Sequence, residues 1–411
     1  MKSLVNIDNQ NKNNIYKQLT NVKYNEENLL KYNKSFENKN GKMRNLLILG
    51  TNKSLSLCND DNCKLFFDDS TYRAFPSNSE FKALCVMITY NLKNKLYELV
   101  NIALLEDETE ETYNEYYSIL KNKYSFSPQI ITVDYALSNI NSIKKEFDSK
   151  NTLILTCNFH FVQAIWRNCN KIGLRKKKYC SLTKLMVFHL QLLQFMDYNT
   201  AAKFYKKLKE YIQKDKVEEN EDYNLYESFF AYFEKTWLNL SGKNNSFFNF
   251  DLWSYYNKFN FNCPINKLID SDSFMEYVAF SNNAVESTNH LINTFIKYNT
   301  AIKYEKFKDL VLLLFLRMES RRKIYRNIKD NFVIKNQLSD LMITLVNKGI
   351  GNSLKILSLK EIKDLKINLN EEEILSFIND INEEEESEKD LDEEDSYEDK
   401  KNDDIDIDND N

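Results

Sequence analysis

The chain has 411 residues, 42% apolar and 28% charged, with 27 Phe, 25 Tyr and 3 Trp but only 6 Gly and 3 Pro. That composition excludes a collagen-like or Pro/Gly-rich fibrous chain and argues against wholesale disorder, and the length suffices for two or three domain-sized units. The formal net charge of −5 hides an asymmetry: Glu371 to Asn411 hold 21 acidic and 3 basic side chains, leaving 53 basic and 40 acidic in residues 1–370. A basic body suggests a polyanionic partner.

Residues 1–44 are polar and weakly patterned, and are expected to form a weakly ordered N-terminal segment. They hold no run long enough for a secretory signal. Asn45 to Gly50 begins the ordered part, and Leu65-Phe66-Phe67 reads as a short strand running into Asp68-Asp69. Phe81–Leu92 and Lys95–Glu106 read as two strands of a hairpin, turning at Lys93-Asn94. Thr109 starts a helix carrying Tyr113, Tyr116, Tyr117 and Leu120 at helical spacing. The strand Gln129–Asp134 leads into a helix marked by Ala136, Ile140, Ile143 and Phe147. The pattern repeats, with a strand over Thr152–Thr156 and a helix through Phe161, Ile165 and Ile172. The order is a β-hairpin followed by two βα units, an α/β or mixed-sheet pattern. From Ser181 to Asp272 the chain reads as helical and aromatic, with further helices near Ser281 and Glu305. The best candidate for a membrane span, Val311 to Leu316, is short and flanked by Asp309 and Arg317, so no membrane span is expected. Seven scattered cysteines read as reduced thiols in an intracellular compartment. From about Glu383 the acidic tail has too few apolar anchors to offset its ordering entropy and is expected to be disordered. It either competes with DNA for the basic surface or solubilises the chain.

Three acids stand where chemistry is expected. In open α/β sheets, ligands sit beyond the carboxyl ends of the strands. Asp134 closes one strand and Asp69 another; Asp68 must point to the opposite face from Asp69. Glu286 opens a predicted helix, with His290 one turn on. Three converging carboxylates suit Mg²⁺ or Mn²⁺, hard cations that prefer oxygen donors, and two such ions about 4 Å apart serve phosphodiester displacement. Each acid also has an ordinary explanation. An Asp after a strand often makes a turn or helix cap, and Asn283-Ala284-Val285-Glu286 fits a capping box.

The surrounding words resemble those of the Mutator-like element (MULE) transposases, whose catalytic domain has an RNase H-like DDE fold. Asp69-Ser70-Thr71-Tyr72-Arg73-Ala74-Phe75-Pro76 is similar to the family's Asp-Gly-Thr-Phe-Lys-x-x-Pro, with Ser70 in place of Gly. Thr109-Glu110-Glu111-Thr112-Tyr113 resembles its Thr-Glu-Glu-x-Tyr helix start, and Ile131-Thr132-Val133-Asp134 its second Asp block. Cys157-Asn158-Phe159-His160 resembles its Cys-x-x-His block, and Ser281 to Asn289 the block that carries its last acid. The blocks cover 45–172 and 275–300, and none is specific alone; their order is the signal.

The resemblance implies an α/β fold: an RNase H-like mixed five-stranded sheet flanked by helices, with a large all-helical insertion before the last catalytic acid. It divides the chain into a catalytic core over 45–172 and 276–330, the insertion over 173–275, a C-terminal helical segment over 331–382 and the acidic tail over 383–411. Asp69, Asp134 and Glu286 are implied as catalytic metal ligands, with Cys157, His160, Asn283 and His290 near the site. Implied too are two Mg²⁺ or Mn²⁺ ions, double-stranded DNA as substrate, a homo-oligomer and a nuclear location. The rival is a domesticated or truncated relative that binds DNA without cutting it, since no familiar zinc module for end recognition is present. A helical scaffold with coincidental motifs is a third reading, which requires that no strands form over 45–160.

Other signals are weaker. Arg167, Lys171, Arg175, Lys176, Lys177 and Lys178 form a basic stretch suited to DNA phosphate or nuclear import, or a plain solvated helix end. Arg317, Arg321, Arg322, Lys323 and Arg326 form a second. Cys157 and His160 supply two of the four ligands a structural zinc needs. Cys58 and Cys63 bracket a polar turn, and His189 reads as a core residue. Trp166, Trp237 and Trp253 read as core anchors, with Trp253 alternatively stacking a flipped base.

Overall fold

The apolar runs between Leu46 and Thr156 must hide from water on both faces, and in the computed structural model they do so by pairing into one sheet. The structure describes residues 19–72, 75, 79–176, 180–215, 220–242, 245–256, 258, 292 and 304–327. Two compact units share them. One holds the described residues up to Ala164, Leu193–Ala202, and those from Ala231 onward; the other holds Ile165–Leu192 and Lys203–Phe230.

The first unit starts with a small pair, β1 (Lys23–Tyr24) and β2 (Glu27–Asn28). Then follow β3 (Leu30–Glu37), β4 (Met43–Leu49), a short helix α1 (Asn52–Ser56), β5 (Leu65–Thr71), β6 (Ala83–Asn91) and β7 (Leu96–Leu105). Helix α2 (Glu110–Tyr124), β8 (Ile130–Val133), α3 (Leu137–Glu146), β9 (Leu153–Thr156) and α4 (Asn158–Lys171) complete the α/β part. The sheet order is β3-β4-β7-β6-β5-β8-β9. Its pairs are antiparallel except β5–β8 and β8–β9, which are parallel.

The sheet therefore has seven strands, not the five expected. The five strands β5 to β9 are contiguous, and β3 and β4 extend the sheet beyond β7. Strand β3 lies inside the segment read as weakly ordered. Its polar composition misled because only part of one face is covered: Leu19, Val22 and Leu29 nearby are fully buried, while most of β3 is exposed or half-exposed.

Alternation along the strands sorts the core into two layers. Leu47, Phe67, Val86, Ile88 and Ile102 face one way and pack with Phe307, Leu310, Val311 and Leu314 of helix α9 (Tyr304–Asn327). Leu46, Phe66, Cys85, Met87 and Ile131 face the other way, against Tyr113, Tyr116 and Tyr117 of α2 and Ile140 and Ile143 of α3. Helix α2 starts where predicted: Thr109 caps it, accepting from Thr112 N, and Asp107 accepts from both threonine hydroxyls. Among the described residues no helix is long and apolar enough to cross a membrane.

The helical region that follows contributes to both units. It contains α5 (Cys180–Leu192), α6 (Tyr198–Asp215), α7 (Asn220–Thr236) and the single turn α8 (Phe250–Trp253). Within the first unit, Phe161 stacks on Trp253 at 5.3 Å and meets Trp237 edge-on at 4.8 Å. Within the second, His189 is buried, stacks on Phe204 and bonds Leu185 O through Nδ1 at 2.8 Å. Burial pushes its imidazole down to about 4, so it stays neutral in the core.

Ile131 is fully buried in β8, the strand joined in parallel on both sides. Ile131→Ala is expected to cost about 2–5 kcal/mol of unfolding free energy, read by urea denaturation. A loss below about 1 kcal/mol would mean that the layer under α2 and α3 is not packed as described.

Candidate active site

Strand β5 carries Asp69 to the carboxyl-end edge of the sheet. The parallel register pairs Leu65 with Ile130, Phe66 with Ile131 and Phe67 with Thr132. The pairing ends there; Asp69 stands two residues further along β5, and Asp134 two residues further along the other chain segment, just past the end of β8. Asp69 is 5% exposed and its Oδ1 accepts from Ser70 N at 3.0 Å. Asp134 is half-exposed, and its Oδ1 accepts from Ala136 N at 2.9 Å. The ordinary turn role of Asp134 is thus present, and it also fixes the carboxylate in place.

Ser70 stands where the resembled family has Gly, but its backbone needs no special freedom. It is a regular strand residue opposite Cys85, and its φ is not positive. Its hydroxyl lies 3.2 Å from the Tyr113 hydroxyl.

Asp68 points to the other face, as strand alternation requires, and is fully buried. Its Oδ1 accepts from Cys85 Sγ at 2.7 Å and its Oδ2 from the Tyr117 hydroxyl, which also lies 2.7 Å from the Asn139 side chain. Burial raises its pKa to about 6; the Asp134 charge adds to this, and hydrogen bonds from Cys85, Tyr117 and Asn139 oppose it.

Sequence reasoning missed Glu108 entirely. It follows β7 just before the Thr109 cap, and its Oε1 accepts from the Tyr113 hydroxyl at 2.8 Å. Burial of the Tyr72 phenol and the nearness of the Glu108, Asp134 and Asp69 carboxylates push its pKa up. Glu108 was hidden by its neighbours, because Thr109-Glu110-Glu111 reads so well as a helix start. β7 runs antiparallel to β6, and β6 antiparallel to β5, so the carboxyl end of β7 returns to the same edge as that of β5.

Cys157 is buried directly after β9 and donates its backbone N–H to Val133 O at 2.9 Å, holding the two strand ends together. His160 is half-buried one turn into α4. Tyr135, next to Asp134, packs edge-on against Trp237 and Phe248 at 5.0 and 5.2 Å. An aromatic wall therefore adjoins the end of β8. Trp253 belongs to it and is fully buried, with Nε1 donating to Trp237 O at 2.9 Å. That removes Trp253 as a base-stacking surface. Cys58 and Cys63 are buried around an Asp60–Asn62 turn, and burial raises both thiols to about 12.

Of the basic residues, Arg167 and Lys171 are exposed one turn apart on α4, and Lys176 is exposed beyond it. Arg175 is half-buried with its guanidinium 5.9 Å from the Trp166 ring. Gly173, at φ +87°, ends α4 in the left-handed conformation that glycine takes readily. Glu286, Asn283, His290, Lys177 and Lys178 lie outside the described residues, as do the side chains of Arg321 and Arg322. Among the described residues no group of three His, Cys, Asp or Glu is placed to hold a metal ion.

Because the folded pKa of Asp68 lies above that of an unfolded Asp, its stabilising contribution is full below about pH 4 and lost as pH rises through about 6. The Tm of Asp68→Asn relative to wild type should therefore climb between about pH 4 and pH 6, then level off. A difference that stays flat across that range would show that Asp68 titrates as an ordinary surface carboxyl.

Comparison of the chain with protein-family models, with curated proteins and with solved structures found no match, so the functional reading rests on the residues themselves.

Proposed function

We propose that the chain is a DDE-type DNA transposase of the Mutator-like kind. It hydrolyses a phosphodiester at a transposon end, and the freed 3′-OH then attacks target DNA. The observation that supports this reading is the parallel β5–β8 register, whose continuation carries both Asp69 and Asp134 to the carboxyl-end side of the sheet. The contiguous mixed portion β7-β6-β5-β8-β9 agrees with an RNase H-like core, which β3 and β4 extend. Glu286 is the third acid of this proposal, and the helices before it are its insertion.

The donor set fits a hard divalent cation: carboxylate oxygens, two of them already oriented by backbone amides. Asp69, Asp134 and Glu286 would hold Mg²⁺ or Mn²⁺, which when bound supplies a Lewis acid and an activated oxygen nucleophile. The chain's own residues do the positioning. Ser70 N–H and Ala136 N–H fix the two carboxylates, and the parallel pairing of β5 and β8 carries both to one side of the sheet. Tyr135, the residue after Asp134, is held by ring contacts with Trp237 and Phe248, which fixes the backbone beside the acid. Arg167 and Lys171 present exposed charge to the DNA backbone, so binding should weaken as salt rises. Two strand ends must be processed for strand transfer, and a homo-oligomer acting in the nucleus belongs to the same proposal.

The test is nicking of supercoiled plasmid in Mn²⁺, wild type beside Asp134→Asn. Asp134 is half-exposed, so the variant should keep its Tm while nicking falls at least about a hundredfold. Equal nicking by both proteins would refute the assignment of Asp134. Salt-sensitive DNA binding with no nicking by either, and no Mn²⁺ uptake by calorimetry with DNA present, would leave the non-catalytic DNA-binding relative as the better account.

A further inference from the structure

The backbone bonds between β5 and β8 stop before they reach the two acids. The last pair is Phe67 with Thr132, two residues short of Asp69 and of Asp134. Asp69 is still held on its other side, opposite Val86 of β6, but Asp134 lies past the end of β8. Their final spacing therefore depends on contacts made beyond the last pair.

A buried polar bridge stands at that point. Asp68, the residue before Asp69, turns to the opposite face, and its Oδ2 accepts from the Tyr117 hydroxyl of α2. The same hydroxyl lies 2.7 Å from Asn139 Oδ1, in the first turn of α3. All three side chains are buried. One phenol thus joins the strand that carries the first acid to the helix that follows the second.

Both ends of the bridge reach an acid through a short length of chain. Asp68 and Asp69 share a rigid peptide unit, so holding the Asp68 side chain holds the backbone of its neighbour. Asn139 is five residues from Asp134, whose carboxylate accepts from Ala136 N just before α3 begins. Ser142, further along α3, meets Glu110 O of α2 at 3.0 Å, so two polar contacts fasten these helices together. The Tyr117 ring is itself confined, 5.0 Å from the Tyr116 ring and edge-on to Phe147 at 6.1 Å. In a dry site no water replaces a lost partner, which makes such a bridge stiff.

We propose that Tyr117 is a positioning residue that sets the spacing of Asp69 and Asp134 for a divalent cation, acting through Asp68 and Asn139. The inference rests on the metal-binding reading above and adds the group that aligns its two described carboxylates. Tyr117 touches neither ion nor substrate. Removing a residue that orients ligands from behind typically weakens metal binding about 10- to 100-fold.

The experiment compares wild type, Tyr117→Phe, Asn139→Ala and Tyr116→Phe. The last is the control: it also removes a buried phenol bond from α2, but one made at 2.9 Å to Asn101 of β7. Mn²⁺ uptake is measured by calorimetry with a short DNA duplex present, and amide exchange at Ala136 is followed without metal. Tyr117→Phe and Asn139→Ala should each weaken Mn²⁺ uptake about tenfold or more. Both should also speed exchange at Ala136, whose N–H is bonded to Asp134. Tyr116→Phe should keep Mn²⁺ uptake within about threefold of wild type, even where its Tm falls as far. Wild-type uptake by both Tyr117→Phe and Asn139→Ala would overturn the proposal. So would a loss in Tyr116→Phe as large as theirs, which marks a general softening of the core. Should Tyr117→Phe fail to fold, Asn139→Ala decides alone. Unchanged uptake in these variants, with nicking still dependent on Asp134, sinks only the bridge. No uptake by wild type sinks the metal-binding reading and this inference with it.

Discussion

Strand β5 cannot slip by one residue. It is paired antiparallel to β6 and parallel to β8, and side chains alternate across its two faces. A slip would send Phe66 and Phe67 to the wrong layers. It would also exchange Asp68 for Asp69, moving one acid out of the Tyr117–Cys85 pocket and the other off the face it shares with Phe67. Two adjacent acids thus have different lives because the strand is fixed by apolar residues on either face. The candidate chemistry depends on that register more than on any single polar contact.

Most of the first unit's plan was legible because its signals are local. The hairpin at Lys93-Asn94, the Thr109 cap and the apolar spacing after Asp134 each lie within a dozen residues and point to one element. The strand β3 was not legible, since its apolar support comes from elsewhere in the chain and its own residues are mostly polar. The same holds for the site. Asp69 and Asp134 stand at strand ends visible in the sequence, whereas Glu108 and the Tyr113 hydroxyl come to this edge only through the sheet order. Trp253 shows the opposite error. An aromatic run suggested a stacking surface, but the residues that cover it are distant in sequence and leave it buried.

The helical region divides its labour. Its aromatic residues near Trp237 and Trp253 serve the unit that holds the acids, while His189, Phe204 and Phe230 serve the other. Charge is divided as well: the exposed Arg167 and Lys171 of α4 come within forty residues of Asp134 in the sequence.

The buried thiols have a consequence of their own. Cys58, Cys63, Cys85, Cys157 and Cys169 are all buried, and none of them is joined in a disulfide. Burial raises the thiols of Cys58, Cys63, Cys85 and Cys169 well away from the thiolate form that reacts. Each is therefore a native clock of local opening. A thiol reagent can attack Cys85 only when β6 separates from its neighbours, and Cys157 only when the end of β9 frays. Labelling rates at these positions would time the breathing of individual strands without any label being engineered into the protein.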